Sequence, residues 1–438
     1  MIGLILTSLA IYMFWGDKAK YISILIVFFL VTEGFQFIPA ELLIFPQFGI
    51  VRPYDWLLVF CLVILCLKPG VFINRNFNNQ YSFVKVYFIF LILMLLYNIA
   101  FLKIDLIVIA KVIRTYLYFI IIFPLITLKV KDFQKIFVVL IYATSFASLL
   151  YILQPIFGYS ILQMASEVSF NQGDGLIRFY NLPYLLIPVL FYLLSTNNVL
   201  QIKCNYLLLA LNTASIFLSQ HRNLILAAIL CYGIYIIIIN RFKIGNIILF
   251  IFLGSIMLFI FDNIFDNRIS KGLDDLSEVN FNMTFSSIQA TPVSEITTSE
   301  FRLYHFLERY YYIKNDLSEY FLGIGLINED SKTAELLPFH IGLEDEYGQI
   351  FQVYTDDIAW SMILLHLGLF GLLMSFYFYF SLLKMFYAHM IDSLSIVALI
   401  YIVMLFFTSF YGSTLIMPYS ILMLMFFASY CFVSIRTK

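Results

Sequence analysis

Residues 105–125 of the chain read "DLIVIAKVIRTYLYFIIIFPL", an apolar stretch with two charges in its interior, Lys111 and Arg114. A helix of this length extends about 31 Å at 1.5 Å per residue, which matches the hydrocarbon thickness of a bilayer. Because lipid offers no partner to a free backbone N–H or C=O group, an apolar segment that crosses it must be helical. The stretch therefore predicts a transmembrane helix that carries two cations inside the membrane.

Similar stretches recur along the whole chain. Of its 438 residues, 62% are hydrophobic and 12% are charged, and the mean hydropathy is +0.93. This composition excludes an ordinary water-soluble globular protein and predicts an all-α, polytopic integral membrane protein. Apolar runs between charged breaks predict about 13 transmembrane helices, over residues 2–15, 21–39, 53–67, 83–102, 106–128, 134–155, 182–197, 204–220, 223–240, 244–261, 358–383, 393–411 and 414–434.

The distribution of basic residues predicts the orientation of these helices. Lys and Arg collect on alternate connections, whereas the opposite short connections hold only Arg52, Lys103, Arg178 and Arg222. The side richer in basic residues is expected to face the cytoplasm. The N-terminus is therefore predicted outside and the C-terminus in the cytoplasm.

One connection is far longer than the others and divides the chain into three parts. Residues 1–261 form a predicted N-terminal bundle of about 10 helices, residues 262–357 a large external loop domain, and residues 358–438 about 3 further helices. The loop holds 18 of the 27 acidic residues of the chain. Within it, residues 301–314 have helical character, and the mixture of glycines with apolar residues over 321–354 predicts a small packed cap.

Charges inside a bilayer are costly, so they are functional candidates unless they pair with one another. Lys111 and Arg114 are spaced i, i+3 and share one face of their helix. One interpretation is a structural ion pair with Glu33 of the second predicted helix. Lys111 and Arg114 carry two positive charges against the one negative charge of Glu33. This excess of positive charge favours a role in binding an anion.

Two arginines are predicted at the same depth, near the outer surface. Arg178 lies in "GDGLIRFYNLP" at the entrance of the seventh predicted helix, and Arg222 lies in "LSQHRNLILAAIL" at the tip of a tight hairpin. Taken singly, each is also explained by a side chain that extends to the lipid headgroups. Together with Lys111 and Arg114 they indicate an anion site, because the planar guanidinium matches phosphate oxygens.

The external segment adds a second set of candidates. Arg302, His305 and Arg309 are spaced i, i+3 and i+7, which places them on one face of a helix; the alternative is a solvated basic face on an acidic domain. His340 is an alternative base in the same segment.

A pair of carboxylates stands where the chain re-enters the membrane. Asp356 and Asp357 fit a helix N-cap, and either could also act as a general base toward a bound substrate. His366, farther along this segment, is a further possible base, although we expect it to pack within the helix bundle.

Several short motifs resemble, in this order, the bacterial O-antigen polymerase (Wzy-type) and O-antigen ligase superfamily of integral membrane glycosyltransferases, which have a GT-C-like architecture. They are "SQHR" at 219–222, Arg302 followed by "FLGIGL" at 321–326, and a re-entry segment with Gly368 and Gly371. The resemblance extends over nearly the whole chain in its architecture, which has many predicted transmembrane helices and one large external loop. Ligases usually carry a His-Asn pair at the position where the chain re-enters the membrane. Asp356 and Asp357 stand at this position, which favours a polymerase.

The resemblance implies an inverting, polymerising glycosyltransferase at the periplasmic face of the bacterial inner membrane. Its donor and acceptor would be undecaprenyl-pyrophosphate-linked glycans, with membrane lipid and a chain-length-regulator protein as further partners; no nucleic acid and no cofactor are expected. The implied catalytic residues are Asp357, Asp356, Arg222 and Arg302. The residues implied in binding pyrophosphate are Lys111, Arg114, Arg178, Arg222, Arg302 and Arg309, with His340, His305 and Glu33 as alternative bases or sugar contacts.

Three alternatives stay open from the sequence. Arginines that neutralise the leaving group make a metal unnecessary, and a divalent cation bound by aspartate is the alternative. A ligase would transfer the glycan to the lipid A core instead of to another repeat unit. A lipid-linked oligosaccharide flippase or transporter should have short connections and charges that line a cavity open to both sides, features that the long external segment and the one-sided cations argue against.

Overall fold

The structure is a computed structural model, and it describes residues 2–17, 19–44, 51–71, 81–163, 170–171, 177–195, 200–239, 283–293, 296–344, 348–355, 357–390 and 392–436, with the single residues 245, 255, 270 and 280. Asp356 and nearly all of the predicted helix at 244–261 lie outside the described residues.

The described residues are mostly helical. The helices are α1 Ile2–Trp15, α2 Lys20–Val31, α3 Trp56–Leu67, α4 Ser82–Ala100, α5 Leu106–Leu117, α6 Ile122–Leu125, α7 Val130–Phe157, α8 Leu186–Leu194, α9 Asn205–Leu218, α10 Arg222–Ile239, α11 Phe285–Ala290, α12 Thr298–Ile313, α13 Leu317–Leu322, α14 Ala359–Ala388, α15 Ser393–Ser409 and α16 Pro418–Arg436. Short 3-10 turns lie at Gly34–Gln36, Ala40–Leu42, Pro53–Asp55, Pro69–Val71, Tyr118–Ile121, Ala334–Leu336 and Thr414–Ile416. Strand β1 (Phe170–Asn171) pairs antiparallel with β2 (Arg178–Phe179), with Phe170 opposite Phe179.

The predicted all-α character is confirmed, and the structure contains helices that could cross a membrane. Within the described ranges, five helical segments are long and apolar enough to cross a membrane: Ser82–Ala100, Leu106–Leu125, Val130–Phe157, Ala359–Ala388 and Pro418–Arg436. Further apolar helices of 10–17 residues accompany them. The count of 13 helices and the separate loop domain stay predictions.

Helix α16 lies in the middle of the bundle. Its residues are apolar on every face and are nearly all buried, as expected for a helix that is surrounded by other helices. Phe426 of α16 contacts the rings of Phe28 on α2 and Phe133 on α7, at centroid distances of 5.6 and 5.0 Å. Edge-to-face contacts of this kind favour a defined packing of the rings.

The helix ends fall on two sides of the bundle. Asp17, after α1, binds Lys20 at the start of α2 (2.6 Å) and Lys68 after α3 (3.0 Å), so these three helix ends lie together. On the other side, α12 contacts the start of α14 through a 2.8 Å hydrogen bond between His305 Nδ1 and Ser361 Oγ. We call this second side the loop side.

Helix α14 is broken at Gly368, whose φ is +63°. Such a break interrupts regular helical geometry, and backbone polar groups inside a membrane bundle need hydrogen-bond partners. The carbonyl oxygen of Leu365 lies three residues before the break. The backbone N–H of Ile324, in "FLGIGL", donates to it at 2.9 Å. Gly323 allows this approach, because a Cβ there would lie 2.6 Å from the Leu365 oxygen. The glycines of this motif therefore join the external segment to the membrane helix.

Replacing Gly323 tests this junction against a matched control. Gly323 (φ +77°) and Gly348 (φ +76°) both have a positive φ, yet a Cβ meets nothing within 4 Å at Gly348. Alanine at either position carries the conformational cost of positive φ, about 1 kcal/mol. We expect Gly323→Ala to lower the free energy of unfolding in detergent by about 2 kcal/mol more than Gly348→Ala. Equal losses would contradict the close approach.

Candidate functional site

Arg178 holds the tip of the hairpin between α9 and α10. Its Nε donates to the carbonyl oxygen of Ser219 at 3.2 Å, and its Nη2 donates to Nδ1 of His221 at 2.8 Å. The guanidinium also lies 4.5 Å from the ring centroid of Tyr180. Arg178, predicted as a phosphate ligand, therefore has a second role, because it fixes the backbone and the imidazole at the tip.

His221 is a residue that the sequence analysis missed. A guanidinium has donors only, so Nδ1 of His221 is the acceptor and the ring proton is on Nε2. Burial of the ring, together with the nearby positive charges of Arg178 and Arg302, lowers the pKa of His221 to about 4. The imidazole is therefore neutral at pH 7, and its Nε2–H is a hydrogen-bond donor.

Arg302 and Asp357 complete this group of side chains. Arg302 Nη2 lies 3.4 Å from Asp357 Oδ1, and the guanidinium lies 5.6 Å from the ring centroid of Tyr411. Arg302 is close enough to His221 to influence its protonation. We call Arg178, His221, Arg302 and Asp357 the tip cluster; it joins the β2 strand, the α9–α10 hairpin, α12 and the re-entry segment.

Asp357 is held in place by the backbone that precedes it. Oε1 of Glu329 accepts hydrogen bonds from the N–H groups of Val353 (2.7 Å) and Tyr354 (2.5 Å). The N–H of Asp357 then donates to Thr355 Oγ1 at 3.0 Å. The carboxylate therefore projects from a backbone that Glu329 fixes.

A second group of charges surrounds Asp55, at the start of α3. Asp55 Oδ2 lies 2.5 Å from Arg114 Nη1 and accepts from the N–H of Arg52 at 2.8 Å, and Oδ1 accepts from the hydroxyl of Tyr118 at 2.9 Å. We call Asp55, Arg52, Arg114 and Tyr118 the Asp55 cluster. Both charged side chains of the Asp55–Arg114 pair are largely buried.

The two cations of α5 therefore have separate partners. Arg114 pairs with Asp55, and Lys111 pairs with Asp330 of the external segment at 2.6 Å. The Lys111 ammonium holds the pKa of Asp330 below its usual range. The expectation of two cations against one acid was wrong, because Asp55 and Asp330 are distant in sequence and only the fold brings them to α5.

Glu33 lies at the loop-side end of α2, where the backbone turns left-handed over four consecutive residues, Glu33 to Gln36, with φ from 52° to 70°. This is an unusual conformation for residues other than glycine. Glu33 is buried, and its Oε2 accepts from the Tyr184 hydroxyl at 2.7 Å. The ring of Tyr184 stacks on that of Tyr419 at 4.5 Å. Glu33 is thus placed by backbone strain and by aromatic packing.

The two clusters are neighbours. Tyr354 is near Arg52 of the Asp55 cluster, and Asp357 of the tip cluster follows three residues later. Three residues of extended chain span at most about 11 Å. Both clusters therefore lie on the loop side, and we refer to them together as the polar layer.

Other predicted residues lie apart from this layer. Arg309 is fully buried in the external segment and donates to Glu308, to the carbonyl oxygen of Ile341 (2.7 Å) and to other backbone oxygens. His340 hydrogen-bonds through Nε2 to the carbonyl oxygen of Thr291 at 3.1 Å. These contacts stabilise the external segment internally. Arg309 and His340 are therefore not part of the candidate site.

His305 and Arg222 border the layer. His305 Nδ1 contacts Ser361, and its buried Nε2 has no hydrogen-bond partner in the described part of the chain. Burial lowers the pKa of His305 well below its usual value. Arg222, partly exposed, is the first residue of α10 and directly follows His221.

No known protein family, no protein of established function and no solved structure matches this chain. Across the described ranges, no group of three or more His, Cys, Asp or Glu side chains is arranged to hold a metal ion.

The Asp55–Arg114 pair can be tested by substitution. Asp55→Asn keeps an oxygen for Tyr118 but removes the negative charge beside a largely buried guanidinium, and breaking such a pair is costly. We expect a loss of about 3 kcal/mol in the free energy of unfolding in detergent, which Arg114→Gln in the same chain should partly restore. Asp330→Asn, at an exposed ion pair, should cost less than about 1 kcal/mol. Similar losses for both aspartates would contradict a buried Asp55 pair.

Proposed function

We propose that the chain is a membrane glycosyltransferase that polymerises undecaprenyl-pyrophosphate-linked oligosaccharide repeat units into an O-antigen or capsule-type polysaccharide. The proposed location is the periplasmic face of the bacterial inner membrane, with the N-terminus periplasmic and the C-terminus cytoplasmic. The observation that carries the proposal is the tip cluster, where Arg178 binds a neutral imidazole and Arg302 lies against a carboxylate.

The position of the cluster suits a lipid-linked pyrophosphate. His221 directly precedes α10 and Asp357 lies two residues before α14, and both helices are apolar, so a bound diphosphate would have its polyprenyl tail in the bilayer and its sugar outside it. Arg302 and Arg222 supply forked donors for phosphate oxygens. These charges would stabilise the negative charge that grows on the leaving pyrophosphate as its bond to the sugar breaks.

Asp357 is the proposed general base. A phosphate that binds Arg302 competes with the 3.4 Å contact between Arg302 and Asp357, which frees the carboxylate to accept a proton. The acceptor hydroxyl oxygen then forms a bond to C1 of the donor sugar while the C1–O bond to pyrophosphate breaks, and the configuration at C1 inverts. The hydroxyl proton moves to Asp357, and undecaprenyl pyrophosphate leaves as an anion.

His221 has a different role from Asp357 in this scheme. Its Nδ1 already accepts a hydrogen bond from Arg178, and its Nε2 carries a proton. A ring in this state has no free lone pair for a substrate proton.

Substitution of Asp357 separates chemistry from binding. Asp357→Asn removes the base and leaves Arg302 free for phosphate, so donor affinity should stay the same or rise while turnover falls about 100-fold or more. Polymer formation from synthetic repeat units and binding of farnesyl pyrophosphate would be measured on purified protein. Glu335→Gln, at an exposed carboxylate of the same external segment, is the control and should keep full turnover. Parallel losses of binding and turnover in Asp357→Asn would assign the residue a structural role.

A polymerase is distinguished from a ligase by its acceptor. Purified protein with lipid-linked repeat units alone should give a ladder of chain lengths, because each repeat also serves as acceptor. Product formed only after addition of lipid A core would indicate a ligase, and translocation of repeats without any new glycosidic bond would indicate a flippase. The ladder should persist in EDTA, since arginines neutralise the leaving group; loss of activity that magnesium restores would overturn a metal-free mechanism.

A further inference from the structure

Two N–H donors in the tip cluster have no acceptor among the described residues. One is Nε of Arg302, which is buried. The other is Nε2 of His221, because the hydrogen bond from Arg178 occupies Nδ1. Polar groups that fold away from water are almost always hydrogen-bonded. The buried N–H of Arg302, together with the directed N–H of the partly buried His221 ring, indicates a ligand that is rich in oxygen acceptors.

The hairpin tip is arranged so that the imidazole has one orientation. Gln220 adopts a left-handed backbone with φ +53°, which is uncommon for a residue other than glycine. Arg178 binds on both sides of it, at the Ser219 oxygen and at His221 Nδ1. The ring of Tyr180 contacts the imidazole edge to face, 5.7 Å between centroids. Ring orientation and tautomer are therefore set before a ligand arrives.

We propose that His221 donates its Nε2–H to a phosphate oxygen of the lipid-linked donor, and that Arg178 is the positioning residue that keeps the imidazole in this tautomer. The inference rests on the proposed function and adds a neutral donor to its anion site. Arg178 contacts the ring, and the charge of Arg302 also acts on it. A neutral ring adds a hydrogen bond there without placing a third positive charge beside them.

Two substitutions at His221 give opposite expectations for a donor role and a purely structural role. The glutamine side chain carries its amide nitrogen near the position of Nε2, whereas asparagine carries its amide near Nδ1. If Nε2–H binds phosphate, His221→Gln should keep affinity for farnesyl pyrophosphate within about threefold, and His221→Asn should lower it roughly tenfold or more. If His221 serves only to accept from Arg178, His221→Asn should be the better replacement, and that order overturns the proposal.

The binding experiment uses the full chain in detergent with three probes. Farnesyl pyrophosphate has a lipid tail and a diphosphate, inorganic pyrophosphate has the diphosphate alone, and farnesol has the tail alone. The loss in His221→Asn should appear with both phosphate probes and be absent with farnesol. An equal loss with farnesol would assign His221 to packing and overturn the proposal. Thermal unfolding midpoints of both variants check that the protein is folded in each case.

The role of Arg178 is tested through its coupling to His221. Arg178→Lys keeps the charge but loses the two-point hydrogen bonding, so it should weaken farnesyl pyrophosphate binding in the wild-type background. In the His221→Asn background the same substitution should have a much smaller effect, because the donor that it positions is already gone. Additive effects would mean that Arg178 does not act through His221.

Failure of this inference and failure of the proposed function give different results. If wild-type protein does not bind farnesyl pyrophosphate, both fail. If wild-type protein binds it and forms polymer while the two His221 variants bind equally well, the inference alone fails.

Discussion

Charge inside a membrane protein must be neutralised by another part of the same chain or by a ligand, because lipid cannot do so. This constraint organises the loop side. Asp55 and Arg114 neutralise each other in the interior of the bundle, and Asp357 lies against Arg302 where the chain re-enters it. The same rule applies to the backbone: beside the break in α14 at Gly368, the N–H of Ile324 in the external segment donates to the carbonyl oxygen of Leu365. Polar groups therefore determine which segments meet.

As a consequence, the external segment packs against the helices and forms part of the candidate site. Its "FLGIGL" motif is inserted at the break in α14, and the His366 imidazole of α14 bonds to the carbonyl oxygen of Ile327 at 2.9 Å. Glu329, two residues later, holds the backbone that leads to Asp357. The carboxylate proposed as general base is thus positioned by contacts that begin at the membrane helices and pass through the external segment.

The tip cluster combines three kinds of polar group with different roles. Guanidinium groups attract an anion and tolerate close approach to each other only while counter-charges or acceptors are near. The imidazole of His221, kept neutral by its surroundings, contributes a directional donor. The carboxylate of Asp357 balances Arg302 in the absence of an anion. For an anion that carries a leaving group, this arrangement offers stabilisation of charge on one side and a proton acceptor on the other.

The sequence by itself determined the helical architecture with apolar helices long enough to cross a membrane, since hydrophobic runs such as residues 105–125 are local signals with one physical solution in lipid. It also singled out Arg178, Arg302 and Asp357, because charges near apolar helices are rare enough to be conspicuous. Only the tertiary structure decided that Arg114 pairs with Asp55, 59 residues away, and that His221 accepts a hydrogen bond from Arg178, 43 residues away. Partner choice, tautomer and backbone strain depend on contacts between distant segments, and neither periodicity nor composition encodes those contacts.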